Sequence, residues 1–125
     1  MKNRCKSILI LLMIGFIHFT SLAQRKEQVN EQINEARELN GQRNYTGAIA
    51  KYNEALKADP ENINANIGIA YSLYALDRGL EAIPYLERAI KSGDVLDPGI
   101  YDLMGSIYDR ANQPEKAIAA YKEGI

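Results

Sequence analysis

The chain has 125 residues and is close to neutral, with 15 basic and 16 acidic side chains and a formal net charge of −1. It shows no cluster of Lys and Arg of the kind that nucleic-acid binding requires. Its single cysteine and single histidine, Cys5 and His18, both precede residue 24. The rest of the chain therefore lacks a thiol nucleophile, an imidazole base and the usual nitrogen or sulfur ligands of zinc. We accordingly expect no enzyme, no cofactor and no metal site.

The first 23 residues have the composition of an export signal. Three cations within the first six residues precede an apolar run over residues 8–19, and the small residues Ser21 and Ala23 follow. This order is typical of a secretory signal peptide, and we expect cleavage after Ala23. The alternative is an uncleaved membrane anchor, but the apolar run is shorter than the roughly 20 residues that span a bilayer. The sequence thus predicts an exported protein, periplasmic or secreted, in a bacterial envelope, whose membrane contact would be limited to an uncleaved signal.

Three later segments share one arrangement of side chains. Each contains an alanine, at Ala48, Ala82 or Ala117, that is followed four residues later by a large side chain and three residues after that by a small one. The alanines are 34 and 35 residues apart. A recurrence at nearly constant period indicates a structural repeat.

Helical spacing is present within the repeats. Val29, Ile33, Ala36 and Leu39 fall at steps of three and four residues, which draws one apolar stripe along a helix. No segment alternates as a strand would, so we predict an all-α fold. Turn-forming residues separate paired helices at 41–44, 77–79 and 112–114.

Several residues are expected at helix ends. Asn62 and Asp97 are suited to cap helix N-termini, and Pro98 is suited to a first helical position. Asp59 precedes a proline, which disfavours helix in the residue before it, so a helix should end there. Pro84 is expected near the first turn of its helix, where a missing N–H matters little.

This pattern resembles the tetratricopeptide repeat family, whose 34-residue helix–turn–helix unit shows W-x₂-L-G-x₂-Y, then A-x₃-F, then P. The matching positions are Asn66, Ile69, Ala70 and Leu73; Tyr101, Met104, Gly105 and Tyr108; Ala48, Tyr52 and Pro60; Ala82 and Leu86; and Ala117 and Tyr121. The resemblance implies a right-handed α-solenoid of antiparallel helix pairs over residues 24–125. About three repeats are expected, near 29–62, 63–97 and 98–125, the last apparently truncated.

The match departs from the family motif at two places. Gln32 and Glu35 stand where large apolar residues are usual, so the first helix is expected either to fray or to act as a polar N-terminal cap. Residues 95–97 replace an in-register proline and form a slightly long connection.

The resemblance also implies a binding site, because first helices in this family line a concave groove that holds peptides. The groove residues expected here are Asn30, Ile33, Arg37, Asn64, Ile67, Tyr71, Tyr74, Asp102, Ser106 and Asp109. Tyrosine, with its apolar ring and polar tip, suits either contact between repeats or contact with a ligand. Of the positions that grip a C-terminal carboxylate in some family members, only Arg37 could serve, so that specialised function is not expected.

Catalysis by carboxylates is the remaining enzymatic interpretation. Asp94, Asp97, Asp102 and Asp109 form a loose cluster, and paired acids drive glycoside hydrolysis. A turn role for Asp94, a cap role for Asp97 and exposure of the other two explain them better. The compact spacing of a calcium loop is absent.

The sequence therefore predicts an exported scaffold that binds a protein or peptide partner, without nucleic acid, and with no small-molecule substrate evident. The alternative is that the chain is the N-terminal recruitment segment of a larger envelope-associated protein or enzyme. In that case the active domain would lie beyond Ile125.

Overall fold

A computed structural model describes residues 2–93 and 97–125, with the backbone alone described for residues 2–5, 7 and 15–20. These residues form six helices, and no strand occurs among them. The helices are α1 (Lys2–Gly41), α2 (Tyr45–Ala58), α3 (Ile63–Ala75), α4 (Gly79–Ser92), α5 (Pro98–Arg110) and α6 (Pro114–Glu123). The predicted all-α class is confirmed. The predicted long connection at 95–97 and the turn residue Asp94 lie largely outside the described residues.

The helices pack as three consecutive pairs, α1 with α2, α3 with α4 and α5 with α6. Because short turns join the members of each pair, they run antiparallel. Each pair then stacks on the next through the contacts of α2 with α3 and of α4 with α5. This is the helix-pair array that the repeat pattern predicts.

Small side chains occupy the contacts between paired helices. The repeated small positions Ala36, Ala48, Ala70, Ala82, Gly105 and Ala117 are all buried. Ile69, Leu86 and Ile107, the largest apolar side chains that are fully buried, fill the space beside them. The predicted register is therefore confirmed, and burial of this apolar surface is the main source of stability.

α1 is longer than one repeat helix, at 40 residues. Its described side chains before Val29 are exposed, including Leu22 at 62%, and burial begins at Val29. The sequence did not predict that the expected signal segment would continue the repeat helix. No proline interrupts residues 2–41, so no residue lacks the backbone N–H that a continuous helix needs. None of the helices in the described part of the chain has both the length and the apolar character needed to cross a membrane.

The polar positions of α1 do not cause fraying, because α1 is helical through both. Gln32 and Glu35 are half-buried, and Lys51 Nζ of α2 lies 2.7 Å from the Glu35 carboxylate. This hydrogen-bonded pair raises the pKa of Lys51. Of the two predicted alternatives, fraying is therefore excluded at these positions. α1 packs against α2 as a regular helix that carries polar side chains.

The turn within each pair repeats one backbone conformation. Arg43, Asp77 and Asn112 have φ values of 60°, 61° and 56°, in the left-handed region. In the second turn, the Arg78 N–H donates to the Leu73 carbonyl (2.8 Å), and equivalent bonds occur in the other two turns. This is the Schellman geometry that satisfies the last carbonyls of a helix.

The predicted caps are present. Asn62 Oδ1 accepts from the Ala65 N–H (3.1 Å), Asp97 Oδ1 accepts from the Gly99 N–H (2.9 Å), and Pro98 begins α5. The position expected for Pro84 was wrong, since it lies inside α4, in the second turn. The carbonyl that loses its donor belongs to Leu80, a residue that is 52% exposed, so the lost hydrogen bond is not in the core.

Candidate functional site: the inner face of the helix array

The first helices of the pairs lie closer together than the second helices. α1 contacts α3, and α3 contacts α5. By contrast, in the described part of the chain no Cα atom of α2 lies within 8 Å of a Cα atom of α4. The array therefore curves toward α1, α3 and α5, whose exposed surface is called the inner face. The surface of α2, α4 and α6 is called the outer face.

Tyr71 is the exposed aromatic residue at the centre of the inner face. It lies on the middle first helix, and its side chain is 56% exposed. Asn64, two turns earlier on α3, is also exposed, whereas Ile67 between them is half-buried against the core. The centre of this face thus presents one free tyrosine ring and one free amide beside a partly covered isoleucine.

Tyr74 has a different environment from Tyr71. Its ring is half-buried against the core, and the Arg110 guanidinium of α5 lies 4.2 Å from the ring centroid. Arg110 Nη1 also lies 3.5 Å from both the Tyr74 carbonyl and the Asp77 carboxylate. Tyr74 therefore joins the second repeat to the third, although its edge lines a cavity of about 330 Å³ beside Leu80.

The α5 part of the inner face carries two carboxylates in addition to Arg110, which is paired with Asp77. Asp102 and Asp109 are exposed, and Asp109 accepts a hydrogen bond from the Tyr121 hydroxyl (3.1 Å). The Ser106 hydroxyl donates to the Asp102 carbonyl (2.9 Å) and lies 3.4 Å from the Tyr121 hydroxyl. Ser106 is therefore committed to local contacts, and the two carboxylates are the groups available to a ligand.

Tyr121 is a site residue that the repeat pattern assigned to packing alone. Its ring covers Gly105, and any Cβ added at that glycine would overlap the ring. Because Gly105 has no side chain, the Tyr121 ring lies close to the backbone of α5, and its hydroxyl reaches Asp109. Gly105, at the small position of the third repeat, was the sequence signal that could have indicated this close contact.

The α1 part of the inner face carries Arg37 and Asn30, both exposed. Ile33, which was expected in the groove, is 4% exposed and belongs to the core. The groove placement of Ile33 was wrong because α1 packs against α3, and this contact covers part of the inner side of α1. Burial raises the pKa of the neighbouring Tyr52 hydroxyl, with a smaller opposing effect from Arg37 and Asn40.

The inner face therefore brings together residues from all three first helices, with a cation at the α1 end, a tyrosine at the centre and carboxylates at the α5 end. The described residues contain no group of three or more His, Cys, Asp or Glu side chains placed to hold a metal. Asp97 serves as a cap, and Asp94 lies outside the described residues. This arrangement suits recognition of an extended chain with charged side chains.

Two models of known protein families match parts of the chain. A family model described as a tetratricopeptide repeat matches residues 33–99. A second family model of the same description matches residues 98–125. No curated protein matched the chain.

Replacing the two tyrosines separately tests their different environments. We expect Tyr74→Ala to lower the free energy of unfolding by about 1–3 kcal/mol, since it removes a half-buried ring and its cation–π contact. Tyr71→Ala should change it by less than about 0.5 kcal/mol, as exposed substitutions do. Urea denaturation of the two variants measures both, and equal losses would contradict the placement of Tyr74 between the repeats.

Proposed function

This chain belongs to the tetratricopeptide repeat family, and we propose that it is an exported, non-catalytic scaffold that holds a peptide segment of a partner protein on its inner face. Tetratricopeptide repeats commonly mediate protein–protein interaction, which supports binding rather than chemistry. The observation that carries the proposal is Tyr71, which is 56% exposed at the centre of the inner face. Large aromatic rings at the centre of a surface supply much of the affinity in protein interfaces.

The charges around Tyr71 define the peptide chemistry. Asp102 and Asp109 lie toward α5, and Arg37 lies toward α1. A peptide with an apolar side chain on Tyr71 and a basic side chain next to it, toward α5, would satisfy this arrangement. An acidic group toward α1 would meet Arg37, so the two ends of the face favour one direction of the bound chain.

Backbone recognition would come from Asn64. Its exposed amide can both donate to and accept from a peptide backbone, which holds an extended ligand without selecting its sequence. Tyr121 supports the acidic end by fixing Asp109 through a 3.1 Å hydrogen bond. A carboxylate already held in one rotamer loses less side-chain entropy when it binds a cation.

Export is proposed from the N-terminal composition, a positive start followed by an apolar run and small residues. The structure is compatible with removal of residues 1–23. Every described side chain from residue 21 to 28 is exposed, and burial starts at Val29. Cleavage after Ala23 would therefore leave the packed repeats intact and change the formal net charge from −1 to −4.

The acidic end of the inner face can be tested with a labelled peptide that combines lysine and leucine. We expect Asp102→Asn and Asp109→Asn each to weaken binding about two- to five-fold, because each removes one exposed ionic attraction. The dependence of the dissociation constant on salt should also become flatter. Fluorescence anisotropy at several salt concentrations gives both quantities.

The matched control is Glu87→Gln, which removes one exposed carboxylate from α4 on the outer face. It should leave affinity and salt dependence unchanged. If all three variants bound the lysine–leucine peptide equally, the inner face would not be its site.

Export can be tested by expressing the full chain in a bacterium that has a periplasm. We expect the periplasmic protein to begin at Gln24, which its intact mass would show. A variant with Leu11 and Leu12 replaced by Arg should stay in the cytoplasm at full length, because it interrupts the apolar run. Periplasmic protein that retained Met1 through Ala23 would contradict cleavage.

A further inference from the structure

A second groove lies on the outer face, between α2 and α4. Because α2 and α4 do not approach each other, the surface between them stays open above the start of α3. The opening has a volume of about 520 Å³ and is called the outer groove. Its lining residues are Asn53, Leu56, Lys57, Pro60, Tyr85 and Arg88.

The floor of the outer groove is apolar. Leu56 and Tyr85 are half-buried and pack against the core, one from each helix. Pro60, in the connection between α2 and α3, is exposed beside them. An apolar side chain of a ligand could therefore be covered on both sides by groups that the core already holds in place.

Two cations border this floor, and no carboxylate lines it. Arg88 and Lys57 are exposed, and neither forms an ion pair with any residue that the structure describes. The acids on the flanks are Glu54, which pairs with Lys51 (3.5 Å), and Glu61 and Glu87, which lie outside the lining. The lining thus presents two cations that form no ion pair among the described residues, next to apolar surface.

Arg88 is held in position by a buried amide. Its Nη1 donates to Asn66 Oδ1 (3.2 Å), and its guanidinium lies 5.4 Å from the centroid of the Tyr85 ring. Asn66 is fully buried, and its amide nitrogen donates to the carbonyls of Pro60 (3.2 Å) and Asn62 (2.9 Å). One side of the guanidinium is fixed by these contacts, and its remaining N–H groups are available to hydrogen-bond an incoming acceptor.

We propose that the outer groove docks an acidic segment of a second protein, with a leucine-like side chain on Leu56 and Tyr85 and carboxylates on Arg88 and Lys57. Charge complementarity identifies this occupant, since the groove offers cations that no described residue pairs. An arginine already oriented suits a bidentate contact with a carboxylate. The inner face prefers a basic ligand, so the two faces could hold two partners of opposite charge on one repeat array.

The test uses a labelled peptide that combines glutamate and leucine, compared with a peptide in which every glutamate is glutamine. We expect the full chain to bind the glutamate peptide, and Lys57→Gln and Arg88→Gln each to weaken it about two- to five-fold. Lys91→Gln, which removes an exposed cation from α4 outside the lining, should have no effect. Circular dichroism checks folding, and Lys57→Gln keeps the test decisive if loss of the Asn66 contact destabilises the Arg88 variant.

Three results would overturn the assignment. The first is absence of binding, or equal affinity for the glutamine peptide. The second is loss of binding in Asp102→Asn or Tyr71→Ala, which would place the peptide on the inner face. The third is self-association of the chain that Lys57→Gln abolishes in sedimentation, which would make the occupant a second copy. Failure of the inner-face proposal would not change the result expected for the glutamate peptide. The two proposals are tested with peptides of opposite charge and with variants on different faces.

Discussion

The close approach of paired helices at small side chains is the constraint on which the rest of the structure depends. Ala48, Ala82 and Ala117 recur at this contact on the second helices, and each is at most 1% exposed. A larger side chain there would push two helices apart and displace the stripe that each presents to the next pair. The same rule extends between repeats, where the Tyr52 ring lies directly on Gly68 of α3.

Curvature follows from this packing and creates both candidate binding surfaces. The first helices touch one another along the array, whereas the second helices on its outer side are separated. The inner face consequently gathers side chains from three helices around Tyr71, and the outer face opens between Leu56 and Tyr85. One packing rule therefore produces a surface with an acidic end on one side and a basic, apolar-floored groove on the other.

The features set by local chemistry could be predicted from sequence, as Asn62, Asp97 and the alanine anchors show. Features set by contacts between distant residues could not. Asn66 stands at an apolar motif position, and only the fold shows that its buried amide joins the α2–α3 connection to Arg88. Likewise, Arg110 covers Tyr74 from 36 residues away. Nor does local sequence single out the left-handed turn residue, since Arg43 adopts that conformation although Gly41 is nearby.

The most direct measurement of the central claim is the thermal unfolding of two leucine variants on the same helix. Ala82→Leu adds bulk at a position with no exposed surface, and Glu87→Leu places the same side chain on the exposed side of α4. If helix contact at small residues determines the fold, Ala82→Leu loses about 1–3 kcal/mol of stability, while Glu87→Leu stays close to the unaltered chain. Equal melting temperatures for the two variants would contradict the account.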